Sequence, residues 1–139
     1  MISIERIAQK FLQLDEYLEV LRNISKKPIK DFLNDKIIIG SAKYYLQVSI
    51  ECCLDVANHI IASEKFRAPR DYSDSFMVIQ EEGLISSGLG DRLRQMTKFR
   101  NRLVHLYGEI DNAYVYGYIK RDLKDLEEFK SIIIKRFKT

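Results

Sequence analysis

Tyr45-Leu-Gln-Val-Ser-Ile-Glu-Cys-Cys-Leu-Asp-Val-Ala-Asn-His-Ile-Ile61 decides the fold. At roughly 100° per residue, Leu46, Ile50, Cys53, Ala57, Ile60 and Ile61 share one helical face, and Tyr45, Val48, Cys52 and Val56 share another. A helix apolar over most of its circumference belongs in the middle of a bundle, and this one reads as running from about Asp35 to Glu64. Between the two faces runs a narrow polar stripe of Gln47, Glu51, Asp55 and Asn58. Polar groups on so buried a helix need hydrogen-bonding partners, which other elements have to supply.

The rest of the chain fits a helical setting. It has 139 residues, the size of one domain, so residues 1–139 are read as a single unit with enough length for a real core. Hydrophobic residues make up 46% and charged ones 31%, a globular balance that argues against disorder. Six Gly, two Pro and no Trp favour helices over a turn-rich β fold. A net charge of +3 permits a polyanionic partner without requiring one. The adjacent Cys52 and Cys53 are poorly placed for a mutual disulfide and lack further zinc ligands, so they read as core thiols in a reducing compartment. No segment reaches transmembrane length and the start lacks a secretory pattern, which leads to the expectation of a cytoplasmic protein with no membrane partner.

Outward from the central helix, four more helices are expected, giving four long helices and one short one. The first begins after Ser3 as N-cap, carries Ile4, Ile7, Phe11, Leu14, Leu18 and Leu21 on one face, and ends near Ser25 before Lys26-Lys27-Pro28. Phe32 and Leu33 of the connector are read as packed on the core. A short helix capped by Ser73 ends before Gly83, and Ser86-Ser-Gly-Leu-Gly90 reads as a break. The next helix is placed from about Leu89 to Tyr107, stopped by Gly108. The last, capped by Asp111, carries Val115, Tyr118, Ile119, Leu123, Leu126, Phe129 and Ile133 almost to the end.

The chemistry concentrates in Phe99-Arg-Asn-Arg-Leu-Val-His-Leu-Tyr-Gly108. Leu93, Met96, Phe99, Leu103, Val104, Leu106 and Tyr107 fall in one broad arc, with Lys98, Asn101 and His105 opposite, and Arg100 lies inside the apolar arc. A guanidinium keeps its proton and is costly to bury alone, so a carboxylate, a phosphate or a partner chain has to meet it, and the acidic stripe is the obvious source. No Gly-rich phosphate loop, nucleophile elbow or two-histidine metal helix is present. His59 and His105 are the only histidines, which excludes a histidine-rich metal site, and His59 reads as a packed, hydrogen-bonded residue.

Arg100-Asn101-Arg102-Leu103-Val104-His105-Leu106-Tyr107 fits the Arg-x4-His-x-Tyr signature of HEPN-domain ribonucleases. With Tyr45–Ile61, Arg67-Ala-Pro69 and Glu109-Ile-Asp111 in the same order, the chain from about residue 40 onward resembles the HepT-like toxins paired with MNT-type nucleotidyltransferase antitoxins. The resemblance implies an all-α HEPN fold, a homodimer whose two motifs form a composite cleft, and a toxin that cleaves RNA. The matching tyrosine of the family accepts AMP from the antitoxin, which makes Tyr107 the expected acceptor; the added anion would occupy the place of an RNA phosphate beside Arg100.

Cutting RNA without a metal or other cofactor takes a base for the 2′-hydroxyl, charge stabilisation for the phosphorane and alignment. On this reading His105 is the base, Arg100 binds the scissile phosphate, and Asn101 positions the imidazole or a phosphate oxygen. Glu51 or Asp55 would hold Arg100 when RNA is absent. Arg67, Arg70, Arg92, Arg94, Lys98 and Arg102 are candidates for a wider RNA surface, against the commoner role of solvated charge. Tyr114, Tyr116 and Tyr118 could stack bases, although their spacing favours packing for at least Tyr118. The competing function is a non-catalytic HEPN module that binds a nucleotide or a protein through the same pocket.

Overall fold

The computed structural model describes residues 1–105 and 110–137, which form seven α-helices and no strand. They are α1 (Ile4–Ser25), α2 (Ile29–Leu33), α3 (Lys36–Ser63), α4 (Tyr72–Glu81), α5 (Ser87–Val104), α6 (Asn112–Arg121) and α7 (Leu123–Arg136). No helix among the described residues is long and apolar enough to cross a membrane.

Ser3 starts α1 by accepting a hydrogen bond from the Arg6 N–H at 3.2 Å, and the helix buries Ile7, Phe11, Leu14, Leu18, Leu21 and Ile24. Asp35 starts α3 by accepting from both Ile37 and Ile38 N–H at 3.1 Å. This helix is the central one, burying Leu46, Ile50, Cys53, Ala57 and Ile60 on one side and Cys52 and Val56 on another. Around it Phe129 of α7 sits edge-on to Phe11 of α1 and Phe76 of α4, with ring centroids 6.3 and 5.6 Å away, and so links three helices. Both cysteines are buried free thiols, and burial pushes the Cys52 thiol up to about 11.

The boundaries depart from the sequence reading in several places. The connector after α1 contains a helical turn of its own, α2, which buries Phe32 but leaves Leu33 42% exposed. Asp71 caps α4 in place of Ser73: its carboxylate accepts from the Asp74 N–H at 2.8 Å and from the Ser73 hydroxyl at 2.9 Å. Ser86 caps α5, so Gly88 and Gly90 are helical and do not break the chain. At Gly90 the missing Cβ leaves room for Gln80 Oε1, which accepts from Arg94 across the α4–α5 contact; a side chain there would push the Gln80 amide aside. The end of α4 falls as the sequence reading placed it, before Gly83, whose φ is +80°. At its other end α5 finishes at Val104, and His105 is its extended C-cap. The expected stop at Gly108 lies outside the described residues. The single last helix is two, α6 and α7, separated at Asp122. A one-residue break leaves the apolar spacing nearly in register, which is why periodicity does not reveal it.

The segment between α3 and α4 is pinned by charge. Arg67 donates to both Asp74 oxygens at 2.7 and 3.1 Å and to Glu81 at 2.9 and 3.0 Å, and Asp74 also accepts the Arg70 backbone N–H at 2.9 Å. These donors, Arg67 first, hold the Asp74 carboxyl well below the usual carboxylate range. A depressed carboxylate contributes stability above its unfolded value, near 4, and loses it as pH falls further. Urea titrations will show wild type losing stability below about pH 4, and Asp74→Asn starting about 1–2 kcal/mol lower at neutral pH with a shallower acid fall.

Candidate functional site

The site is built where the C-terminal half of α5 crosses α3. Phe99 is buried and stacks on Tyr118 with centroids 4.1 Å apart, which fixes the rotation of α5 about its axis. The next residue, Arg100, is thereby turned toward α3. Its Nε and Nη2 both donate to Glu51 Oε2, the former at 2.9 Å, and Gln47 Nε2 donates to the same oxygen at 3.2 Å. The Arg100 side chain is 13% exposed and that of Glu51 29%, so this is a part-buried ion pair whose cation is largely shielded from solvent.

Two further groups complete the surroundings of the guanidinium. Asn101 Oδ1 accepts from Arg100 Nη1 at 3.1 Å. Arginine has no acceptor, so the amide oxygen must face it and the Asn101 NH2 is turned to donate elsewhere. Tyr72, the first residue of α4, places its ring 4.9 Å from Arg100 Cζ. Glu51 and Asn101 together engage three of the five guanidinium N–H groups.

His105 adjoins this cluster through the backbone. Its N–H donates to the Asn101 carbonyl at 2.9 Å, closing the last turn, and its extended backbone takes the exposed imidazole out of the helical path. Sequence projection had treated His105 as helical; the chain leaves the helix at that residue. Tyr107 lies outside the described residues.

The remaining polar residues divide. Asp55, the other carboxylate considered for Arg100, pairs instead with Lys10 of α1 at 2.9 Å. Asn58 accepts from the Ser75 hydroxyl at 2.7 Å, so the α3 stripe finds partners on α1, α4 and α5. His59 Nε2 accepts the Ser3 N–H at 3.0 Å; burial, then Arg6 and the N-terminal amine, lower its pKa. Arg67 and Arg92 are committed to carboxylates, and Arg94 to Gln80 and Asp91. Lys98 and Arg102 are exposed on α5. Tyr116 is buried and its hydroxyl donates to the Lys27 carbonyl, while Tyr114 and Tyr118 pack around Phe99. Among the described residues no cluster of three or more His, Cys, Asp or Glu is arranged to hold a metal ion.

Tyr72 was missed by sequence reasoning. Its only signal was an aromatic directly after a helix-capping aspartate, and nothing local shows that the first turn of α4 faces α5.

This arrangement of an arginine held in an apolar setting, an asparagine beside it and a histidine at the helix end matches the motif read from the sequence, and the Ribonuclease HepT-like family model matches residues 14–133. The chain belongs to the ribonuclease HepT-like family. The mRNA nuclease HepT of Shewanella oneidensis is 34% identical over 105 residues, 75% of each chain. A solved structure of a tri-AMPylated Shewanella oneidensis HEPN toxin in complex with MNT antitoxin superposes with a TM-score of 0.90 at 27% identity, covering 96% of this chain and 99% of that one. YutE from Bacillus subtilis, at 22% identity and a TM-score of 0.85 over 98% of this chain and 91% of its own, shares the fold. The architecture is the all-α HEPN fold.

Removing Glu51 strands a largely buried cation. Glu51→Ala will lower the unfolding free energy by about 3 kcal/mol, and Glu51→Gln, which keeps an oxygen acceptor, by less. A double-mutant cycle with Arg100→Met in urea will return a favourable coupling for the pair.

Proposed function

We propose that this protein is the toxin of a toxin–antitoxin pair, a metal-independent endoribonuclease that needs no cofactor and acts as a homodimer of single HEPN domains. The observation that carries the reading is the Arg100 guanidinium, held between Glu51, Asn101 and Tyr72 at the end of the helix that delivers His105. The RNA scissile phosphate displaces the carboxylate and takes two N–H groups of Arg100 in its place. The Asn101 NH2 donates to a phosphate oxygen or to the imidazole.

His105 removes the proton of the 2′-hydroxyl, whose oxygen attacks the adjacent phosphorus while Arg100 offsets the charge gathering on the phosphorane. The bond from phosphorus to the 5′-oxygen breaks, and that oxygen takes a proton from water. The products are a 2′,3′-cyclic phosphate and a 5′-hydroxyl. Lys98 and Arg102 add positive charge along the exposed side of α5, drawing the RNA backbone toward the motif. A second copy supplies the opposite wall of the cleft, a reading supported by the exposed position of His105 at the end of α5.

An MNT-type nucleotidyltransferase antitoxin silences the toxin by transferring AMP to Tyr107, placing a phosphate where RNA would bind. Support comes from family membership and from the complex of a tri-AMPylated HEPN toxin with MNT antitoxin that this chain resembles.

Unmodified protein will cleave total cellular RNA in EDTA, leaving 2′,3′-cyclic phosphate ends, and His105→Ala will be slower by a factor of about 10²–10⁴. Products ending in 3′-hydroxyls would overturn the mechanism, and an inert wild type of unmodified mass would overturn the ribonuclease reading. Intact mass after incubation with the antitoxin and ATP will show AMP on wild type; Tyr107→Phe will stay unmodified and active.

A further inference from the structure

The ring that covers Arg100 has a second environment. Tyr72 also lines an open pocket of about 390 Å³ with Asn58, Pro69, Asp71 and Ser75, between α3 and the start of α4. Its backbone is anchored on both sides, by the Asp71 cap of the helix that Tyr72 begins and by Arg67, which ties the preceding segment to Asp74 and Glu81, and its ring is met by Arg100 at 4.9 Å from the centroid. Yet the residue stays 51% exposed. A large aromatic that is fixed in place and open to solvent, next to a phosphate-binding cation, has the makings of a stacking platform whose ordering entropy is spent before any ligand arrives.

We propose that Tyr72 and its pocket form a nucleobase subsite of the RNA site, holding by stacking the base of a nucleotide that adjoins the phosphate on Arg100. This rests on the ribonuclease reading for the identity of the polymer. One nucleotide can bridge the two groups because phosphate and base are parts of the same unit and Arg100 touches the ring. Stacking on a ring is available to every base, so the subsite fixes the position of the strand more than its sequence. Of the tyrosines on α6, Tyr116 is buried and Tyr118 stacks on Phe99; Tyr114 is 55% exposed and meets Phe99 and Tyr118, whereas it is the ring of Tyr72 that Arg100 touches.

The test uses short single-stranded RNAs, each carrying one 2-aminopurine at a different position, bound to the full chain with His105→Ala to block cleavage. Saturable quenching at a defined position is expected. Tyr72→Phe should keep it, and Tyr72→Leu should abolish it and weaken binding about tenfold or more. In the His105-intact background, Tyr72→Leu should lose kcat/KM on ordinary RNA by a similar factor, but lose little on RNA with an abasic nucleotide beside the cleaved bond. Equal losses on both substrates would show that Tyr72 only props Arg100, and would overturn the proposal, as would quenching that survives Tyr72→Leu. Cleavage without quenching would sink the subsite and leave the ribonuclease standing. Quenching that depends on Tyr72, in a protein that cuts nothing, would sink the ribonuclease and keep the subsite.

Discussion

The ion pair between Arg100 and Glu51 is the constraint on which the rest of the molecule turns. A guanidinium on the inner side of α5 can be tolerated only if α3 presents a carboxylate at the same height, and that fixes how the two helices cross. The central helix then cannot be apolar all round, which explains its polar stripe. Its members are met by different helices, Glu51 by Arg100 of α5, Asp55 by Lys10 of α1 and Asn58 by Ser75 of α4, while Gln47 donates to Glu51 within the stripe. One polar line thus sets the register of three helices against α3.

The placement of α4 follows from the same economy of charge. Asp74 is almost buried, and Arg67 makes that burial possible by spanning Asp74 and Glu81, two turns apart on α4. With α4 anchored at this point, its first residue reaches α5, and an aromatic ring closes over the cation that Glu51 holds. A segment that composition reads as a loop therefore carries part of the site's architecture.

Much of this was legible in the chain itself, and the failures have physical causes. The ends of α3 were readable because an aspartate and a long apolar pattern agree, and the need of Arg100 for a partner follows from where it falls on the wheel. The choice between Glu51 and Asp55 was not readable, since both lie on one stripe and only the crossing of α1 and α5 separates them. Ser73 was a credible cap, but Asp71 lies two residues earlier and takes the Ser73 hydroxyl as one more donor. Gly88 and Gly90 suggested a break because glycine weakens helices in general; at Gly90 the missing side chain makes room for Gln80. The contact of Tyr72 with Arg100 joins two helices whose mutual approach no local pattern encodes.

The hydrogen bond from Gln47 has a consequence for how easily the site changes hands. Glu51 Oε2 collects donors from two residues, and only one of them, Arg100, has to turn toward an incoming anion. When it does, the amide of Gln47 stays on the carboxylate, so Glu51, whose side chain is 29% exposed, keeps a protein donor as well as its contact with solvent. The resting pair is thus tight enough to hold the helices in register and yet reversible, because the amide shares the cost of letting the cation go.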